Sequence, residues 1–179
     1  MREASRLPGM RRCALAALLA LLCDAACNGG LEPVAVPTSC PAGLVGICGT
    51  VTFHGTVPDS TQAVYVVAYH TFPQSRNDLF SFQPSLLQLQ KLPLDTTAAF
   101  YAIPVEAGRY GWVLAVWVKQ GFTLANADST LREAGYYRDP ADTSQAGAVN
   151  VSGATDSIDF VIDFGNMHPP CHYYTSPCQ

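Results

Sequence analysis

The most apolar stretch downstream of the amino-terminal leader is YGWVLAVWV, Tyr110–Val118. It predicts a strand at the core of a sheet, because valine and tryptophan are enriched in strands. A second run, AVYVVAY at Ala63–Tyr69, is β-branched and aromatic and is apolar on both faces, which favours a central strand. The two runs together indicate a fold built from sheets.

Alternating apolar and polar residues mark further strands on either side of these runs. In Thr50–His54 the valine and the phenylalanine share one face. Ile158–Phe164 alternates in the same way and is expected to bury four residues, Ile158, Phe160, Ile162 and Phe164, while Asp159, Val161 and Asp163 face outward. Phe100–Val105 and Val149–Ser152 complete the predicted set.

The connections between these segments suggest how they are arranged. Phe100–Val105 and Tyr110–Lys119 are expected to pair as a hairpin, because Gly108 between them can adopt the positive φ of a tight turn. Residues 71–96 are expected to form a partly ordered flap over a sheet edge. Residues 120–147 form a second long loop, with a short helical turn expected at Asp128–Glu133.

Composition agrees with a packed domain. Of the 179 residues, 49% are hydrophobic and only 13% charged, which excludes disorder throughout. The strand and turn signals predict an all-β fold: a single antiparallel β-sandwich of about seven strands, Ig-like or prealbumin-like, with two long loops. The formal net charge of −4 provides no basic surface, so the sequence argues against a nucleic-acid partner.

The first 26 residues predict a signal peptide. Four arginines precede an apolar run, Cys13–Cys23, that is long enough for an export signal and too short to span a bilayer. The segment Asp24–Gly30 resembles the processing site of bacterial lipoproteins. That resemblance implies a lipid anchor on Cys27 and a place in the cell envelope, leaning to the outer membrane. Cleavage after Ala25, which would release a soluble secreted protein, is the alternative.

Residues 27–46 are rich in glycine and proline and are expected to form a tether. The domain is expected at 47–164, followed by a tail at 165–179.

Beyond Cys27 the chain has an even number of cysteines, as expected for two disulfides in an oxidising compartment: Cys40, Cys48, Cys171 and Cys178. This count allows two local disulfides, Cys40–Cys48 with Cys171–Cys178. It equally allows a crossed pairing that joins the two ends of the domain.

The order of the strands resembles the carboxypeptidase-regulatory-like, transthyretin-like family of envelope domains. The matching segments are Gly49–Gly55, Ala63–Ala68, the Gly108-Arg109-Tyr110 end of the expected hairpin, and the alternating closing strands. The resemblance covers residues 47–164. It implies a non-catalytic sandwich that braces, extends or binds, with a structural or protein-interaction role in the envelope.

Motifs for catalysis are missing from the sequence, which contains no G-x-S-x-G, H-E-x-x-H or phosphate-loop pattern. We therefore predict no enzyme, no catalytic residue and no cofactor. Four zinc-type donors occur close together in the tail: His168, Cys171, His172 and Cys178. Since adjacent Cys171 and His172 are awkward as chelating neighbours, a disulfide is the preferred interpretation and no metal is predicted.

The aromatic residues of the 120–147 loop provide the alternative function, a carbohydrate- or small-ligand-binding module. Tyr136 and Tyr137 are expected to be exposed there beside Arg138 and Asp139, and tyrosine combines a flat apolar ring with a polar hydroxyl. A glycan or another envelope protein is accordingly the expected partner, in addition to the membrane reached through the lipid.

Overall fold

The apolar runs of the sequence become strands of two main sheets. The computed structural model describes residues 37–173, so the predicted signal peptide, Cys27, the first part of the tether and Cys178 lie outside the described residues. The described part contains nine strands: β1 (Gly46–His54), β2 (Thr61–Tyr69), β3 (Ala98–Pro104), β4 (Gly108–Tyr110), β5 (Trp112–Lys119), β6 (Leu131–Tyr136), β7 (Val149–Val151), β8 (Ala154–Thr155) and β9 (Phe160–Asp163). These strands confirm the all-β prediction.

Short helical turns connect some of the strands. A four-residue α-helix occupies Ala127–Thr130, and 3-10 turns occupy Arg76–Phe80, Leu86–Gln88, Leu124–Asn126 and Pro170–His172. Within residues 37–173 we find no helix with the length and apolar character needed to cross a membrane.

β1 is the hub of a four-stranded sheet. It pairs with β3 in antiparallel register, from Gly46 opposite Pro104 to Thr52 opposite Ala98. On its other edge β1 pairs in parallel with β8 and then with β9. The prediction of a purely antiparallel arrangement is therefore wrong at this edge. The chain returns to β1 only after the second main sheet has been built, and a crossover of that length permits parallel pairing.

β5 lies in the middle of a three-stranded antiparallel sheet, between β2 and β6. The expected core position of Tyr110–Val118 is thus confirmed for the part that forms β5. The expected hairpin of Phe100–Val105 with Tyr110–Lys119 is wrong, because β3 pairs with β1 while β4 pairs with β7. At the junction, the Gly111 N–H donates to the carbonyls of Tyr69 and His70, so the chain enters β5 alongside β2.

β2 is an edge strand of this sheet rather than a central one, and residues 71–96 cover its free edge. Ala68 and Gln83 exchange two backbone hydrogen bonds of 2.8 Å, and the Leu92 N–H donates to the Val64 carbonyl at 2.9 Å. The predicted flap over a sheet edge is confirmed. These bridges satisfy backbone groups that would otherwise invite pairing with another chain.

β6 falls inside the segment expected to be a long loop, and that expectation is wrong for Leu131–Tyr136. The register against β5 shifts between Ala115 and Val116, which leaves Ala134 as the extra residue of a β-bulge. A bulge breaks the alternation of inward and outward residues, so LREAGY does not show the period of two that marks a strand in sequence.

The main buried cluster draws side chains from both large sheets. Val51 of β1, Val66 of β2, Trp117 of β5 and Ile162 of β9 all belong to it. The inward face predicted for the last strand is confirmed, since its four apolar residues, Ile158, Phe160, Ile162 and Phe164, are each less than 9% exposed. The two sheets therefore share one core.

A disulfide joins Cys40 to Cys48, the third residue of β1. Cys48 is fully buried, and a hydrogen bond from the Val105 N–H to the Val45 carbonyl holds the same region. This pairing excludes the crossed alternatives for Cys40 and Cys48. Cys171 is disulfide-bonded as well.

Candidate ligand cleft

The candidate site is a cleft where the edge strands of the two main sheets meet. β6 and β9 lie side by side without forming a ladder, and the segment after β9 bridges the free edge of β6 at Glu133 and His168. The cleft has a volume of about 460 Å³, which is in the range of small-molecule sites. Its polar and aromatic lining consists of Glu133, Tyr136, Arg138, Asp159, Phe160, Asp163, Asn166, His168, His172 and Tyr173.

Gly135 allows the two strands to approach each other. A Cβ atom at this position would lie 2.0 Å from the carbonyl oxygen of Val161, and the residue has a φ of +151°. Side chains rarely adopt that φ, and the oxygen belongs to backbone that cannot swing aside. The floor of the cleft therefore requires glycine at the bulge of β6.

Glu133 is the buried charged residue of the cleft. Only 7% of the residue is exposed, and a buried carboxylate must be hydrogen-bonded to be tolerated. Glu133 and His168 exchange backbone hydrogen bonds of 2.8 and 2.9 Å, which brings the His168 Nδ1 to 3.4 Å from the Glu133 Oε2. The Tyr173 hydroxyl donates to the same oxygen. The tail is thus fastened to β6 through both backbone and side chains.

Tyr173 remains a neutral donor in this arrangement. Burial raises the pKa of its hydroxyl, and the hydrogen bond to Glu133 raises it further. Its ring packs against Trp112, with 4.9 Å between ring centroids. The Trp112 indole Nε1 is buried and has no hydrogen-bond partner among residues 37–173. Tyr173 therefore lines the cleft with an apolar ring and a satisfied hydroxyl.

The two histidines of the tail lie near each other, with 4.6 Å between their ring centroids. Cys171 between them is disulfide-bonded and so cannot act as a thiolate ligand. In the described part of the chain, no three His, Cys, Asp or Glu side chains are grouped so as to hold a metal ion. His168 and His172 instead supply imidazole hydrogen-bonding groups to one wall of the cleft.

The structure brings two of the four predicted binding residues into the cleft. Tyr136 and Arg138 line its mouth, with the guanidinium carbon 4.5 Å from the centre of the Tyr136 ring. Tyr137 packs against the main core instead. The Asp139 carboxylate accepts a hydrogen bond of 2.8 Å from the Ala141 N–H. The second pair thus stabilises the loop from which the first pair is displayed.

Two aspartates of β9 and its flank form the opposite wall. Asp159 accepts a hydrogen bond of 2.6 Å from the Thr50 N–H. Asp163 accepts one of 2.8 Å from the Gly165 N–H and lies 3.3 Å from the His54 Nδ1. These two contacts, the backbone one first, lower the pKa of Asp163. Both carboxylates therefore have structural partners and still offer free lone pairs to the cleft.

Sequence reasoning missed Glu133 and did not single out Tyr173 as its partner. The sequence around Glu133, Leu131-Arg132-Glu133-Ala134, gives no alternation that would mark the carboxylate as buried, because the bulge conceals which way it points. Tyr173 is distant in sequence and reaches Glu133 only because the tail pairs with β6 at His168.

Comparison of the chain with protein-family models, with curated proteins and with solved structures found no significant match. The resemblance to carboxypeptidase-regulatory-like domains therefore remains a prediction based on strand motifs. The chemistry of the cleft consists of hydrogen-bond donors, acceptors and flat rings on facing walls. Such a surface can hold a polar ligand by several weak, directional contacts.

Proposed function

We propose that this chain is a non-catalytic, ligand-binding lipoprotein of the cell envelope, and that its β6–β9 cleft binds a carbohydrate. The observation that carries the proposal is the Tyr136–Arg138 pair at the mouth of a cleft whose far wall bears carboxylates. A sugar has an apolar ring face, which suits tyrosine, and hydroxyls, which suit carboxylate, guanidinium and imidazole groups.

The charges in the cleft favour a polar ligand without a strong charge of its own. Three acidic residues, Glu133, Asp159 and Asp163, face Arg138 and two histidines. Glu133 is already held by two donors, so it organises the wall rather than attracting a cation. The lining includes no serine, threonine or cysteine among the described residues, which supports a binding role over nucleophilic catalysis.

Calorimetric titration with a panel of neutral, amino and uronic-acid oligosaccharides tests the proposal. We expect one class to bind, and we expect Tyr136→Ala or Arg138→Gln to weaken binding by roughly tenfold, the equivalent of about 1.4 kcal/mol. Arg109→Gln is the matched control, because Arg109 is exposed on β4 and does not line the cleft. If no oligosaccharide binds, the alternative of a purely structural domain that acts through protein contacts is the better account.

The proposed fold is a β-sandwich in which the β1 sheet and the β5 sheet form two layers. The shared core supports it, since Val51 and Val66 come from different sheets and belong to one buried cluster. Methyl-to-methyl nuclear Overhauser effects between valines of β1 and β2 would support the two layers. Their absence in a folded sample would contradict the sandwich.

The proposed location is the envelope, with acyl groups on Cys27. The Cys40–Cys48 disulfide supports an oxidising compartment, and the leader pattern supports lipid attachment. The intact mass of the mature protein, purified without reductant, tests both. A mass that starts at Cys27 and includes acyl groups is expected, whereas a mass without lipid would favour the soluble secreted alternative.

A further inference from the structure

Exposed apolar side chains are concentrated on the flap that covers the free edge of β2. Leu87 is 99% exposed and Leu86 58% exposed, both in the 3-10 turn Leu86–Gln88. Phe80 on the same flap is 36% exposed, and Leu124, whose carbonyl accepts a hydrogen bond from Arg76, is 62% exposed. Isolated exposed leucines are ordinary, whereas two adjacent exposed leucines at one turn make it a candidate contact surface.

The turn is held in place at both ends. Gln83, before it, is paired with Ala68 of β2, and Leu92, after it, donates to Val64 of the same strand. Within the turn, the Ser85 hydroxyl donates to the Gln88 side chain at 2.8 Å. Leu89 packs inward against the sheet. The two leucines are therefore presented on a fixed support, so little ordering is needed when they are buried by a partner.

The turn and the residues next to it in sequence lack charge. From Leu79 to Gln90 the sequence contains no charged side chain. The charged residues that bound this stretch are Asp78, which accepts hydrogen bonds from the N–H groups of Gln74 and Ser75, and the exposed Lys91. An uncharged tip with two exposed leucines matches what a hydrocarbon phase accepts.

We infer that the Leu86–Leu87 turn inserts into the surface of a lipid bilayer. The inference rests on the proposed function, in which Cys27 is lipidated. The segment between Cys27 and Gly46 spans at most roughly 65 Å when extended, so an anchored domain stays within reach of the membrane. At that effective concentration, shallow insertion of two leucines suffices to orient the domain. An oriented domain would keep the cleft at a fixed angle to the bilayer surface.

Tryptophan fluorescence tests the inference, because the native Trp112 and Trp117 are buried and shielded from lipid. The mature full-length chain carrying Leu87→Trp is bound to vesicles of phosphatidylethanolamine and phosphatidylglycerol, 3:1, with and without brominated acyl chains. The matched control is Val161→Trp, which replaces another exposed apolar residue, 55% exposed and on the cleft side. We expect brominated lipid to quench the Leu87→Trp emission and to leave the control unchanged.

A second variant, Leu86→Asn with Leu87→Asn, measures affinity for the same vesicles. Its partitioning should fall by roughly tenfold for each leucine removed. Absence of quenching at Leu87→Trp overturns the inference, as does equal quenching at both positions. Loss of self-association or of cross-linking to another protein in the double variant, without quenching, would identify a protein contact and also overturn it. The intact mass of the same sample separates failure of the anchor from failure of insertion.

Discussion

The two edges of the β2–β5–β6 sheet are protected in the same way and carry opposite chemistry. At the β2 edge, isolated bridges from Gln83 and Lys91 hold a flap that has no charged residue between Leu79 and Gln90. At the β6 edge, a bridge from His168 holds a tail that brings imidazoles and a tyrosine to a buried carboxylate. A short bridging segment thus protects a sheet edge whatever side chains it carries. In our proposals, the side chains on each segment direct one edge to lipid and the other to a polar ligand.

The largest expected effect concerns the β6 edge. Gly135→Ala should destabilise the protein by about 4 kcal/mol or more, because its Cβ would overlap the Val161 carbonyl. Urea unfolding followed by tryptophan fluorescence measures it. Gly153→Ala is the control, since a Cβ there meets nothing within 4 Å, and it should change stability by less than about 0.5 kcal/mol. Equal stability of the two variants would mean that β6 and β9 do not approach as described.

The β2 edge should respond differently at its buried and exposed leucines. Leu92→Ala should cost about 2–4 kcal/mol, because Leu92 is 8% exposed and belongs to the main core. Leu87→Ala should cost less than about 0.5 kcal/mol, since Leu87 is exposed. The same urea titrations compare them. A large loss at Leu87 would show that the turn stabilises the fold and is not a free surface.

A smaller effect is expected from the hydrogen bond that fastens the tail. Tyr173→Phe should cost about 1–3 kcal/mol, because it leaves the buried Glu133 with one side-chain donor fewer. Tyr136→Phe should have little effect, since its hydroxyl only accepts a bond from the exposed Arg138. Thermal unfolding of both variants tests this difference.

The Tyr173 hydroxyl should also make the stability of the protein depend on pH in the alkaline range. Its pKa is raised by burial, so the stability that it contributes is fully present below about pH 10, the ordinary tyrosine pKa. That contribution is lost as the pH rises further. Unfolding measured across this range should show a fall that Tyr173→Phe lessens, and an identical fall in both proteins would contradict the raised pKa.

The smallest effect lies on the outer wall of the cleft. Carbon-detected NMR titration should give Asp163 a pKa below the ordinary aspartate value of about 3.9, because Gly165 and His54 contact its ionised form. Its contribution to stability is present above that ordinary value and is lost as the pH falls through the lowered pKa. His54→Asn should move the Asp163 pKa part of the way back. The pKa of Asp142, lowered by Ser144, should not change.

The two edges also differ in how far sequence alone could describe them. Residues 71–96 were identified as a flap because leucines and phenylalanines among prolines and glutamines need a surface to cover, and the structure confirms it. β6 could not be recognised, because its bulge at Ala134 removes the alternation on which strand prediction depends. The expected hairpin failed for a different reason: strand pairing is decided by tertiary partners, and Gly108 alone does not select them.

The candidate site was predictable only in part for the same reason. Tyr136 and Arg138 could be proposed from their local sequence, and they do line the cleft. Glu133 and Tyr173 are 40 residues apart and meet through a bridge between the tail and β6. No local pattern encodes such a contact. Likewise, the even number of cysteines was compatible with several pairings, and the structure shows that Cys48 is bonded to Cys40.

The Cys40–Cys48 disulfide also determines how a pulling force would pass through the domain. Residues 41–47 lie inside the ring that it closes, so tension arriving from the amino-terminal side bypasses them and reaches β1 at Cys48. There the strand is flanked by β3 on one side and by β8 and β9 on the other. With the bond reduced, the same tension would act on Gly46, the first residue of the strand, and could peel the ladder from its end. The disulfide therefore makes Cys48, inside the paired part of β1, the point at which the domain bears load.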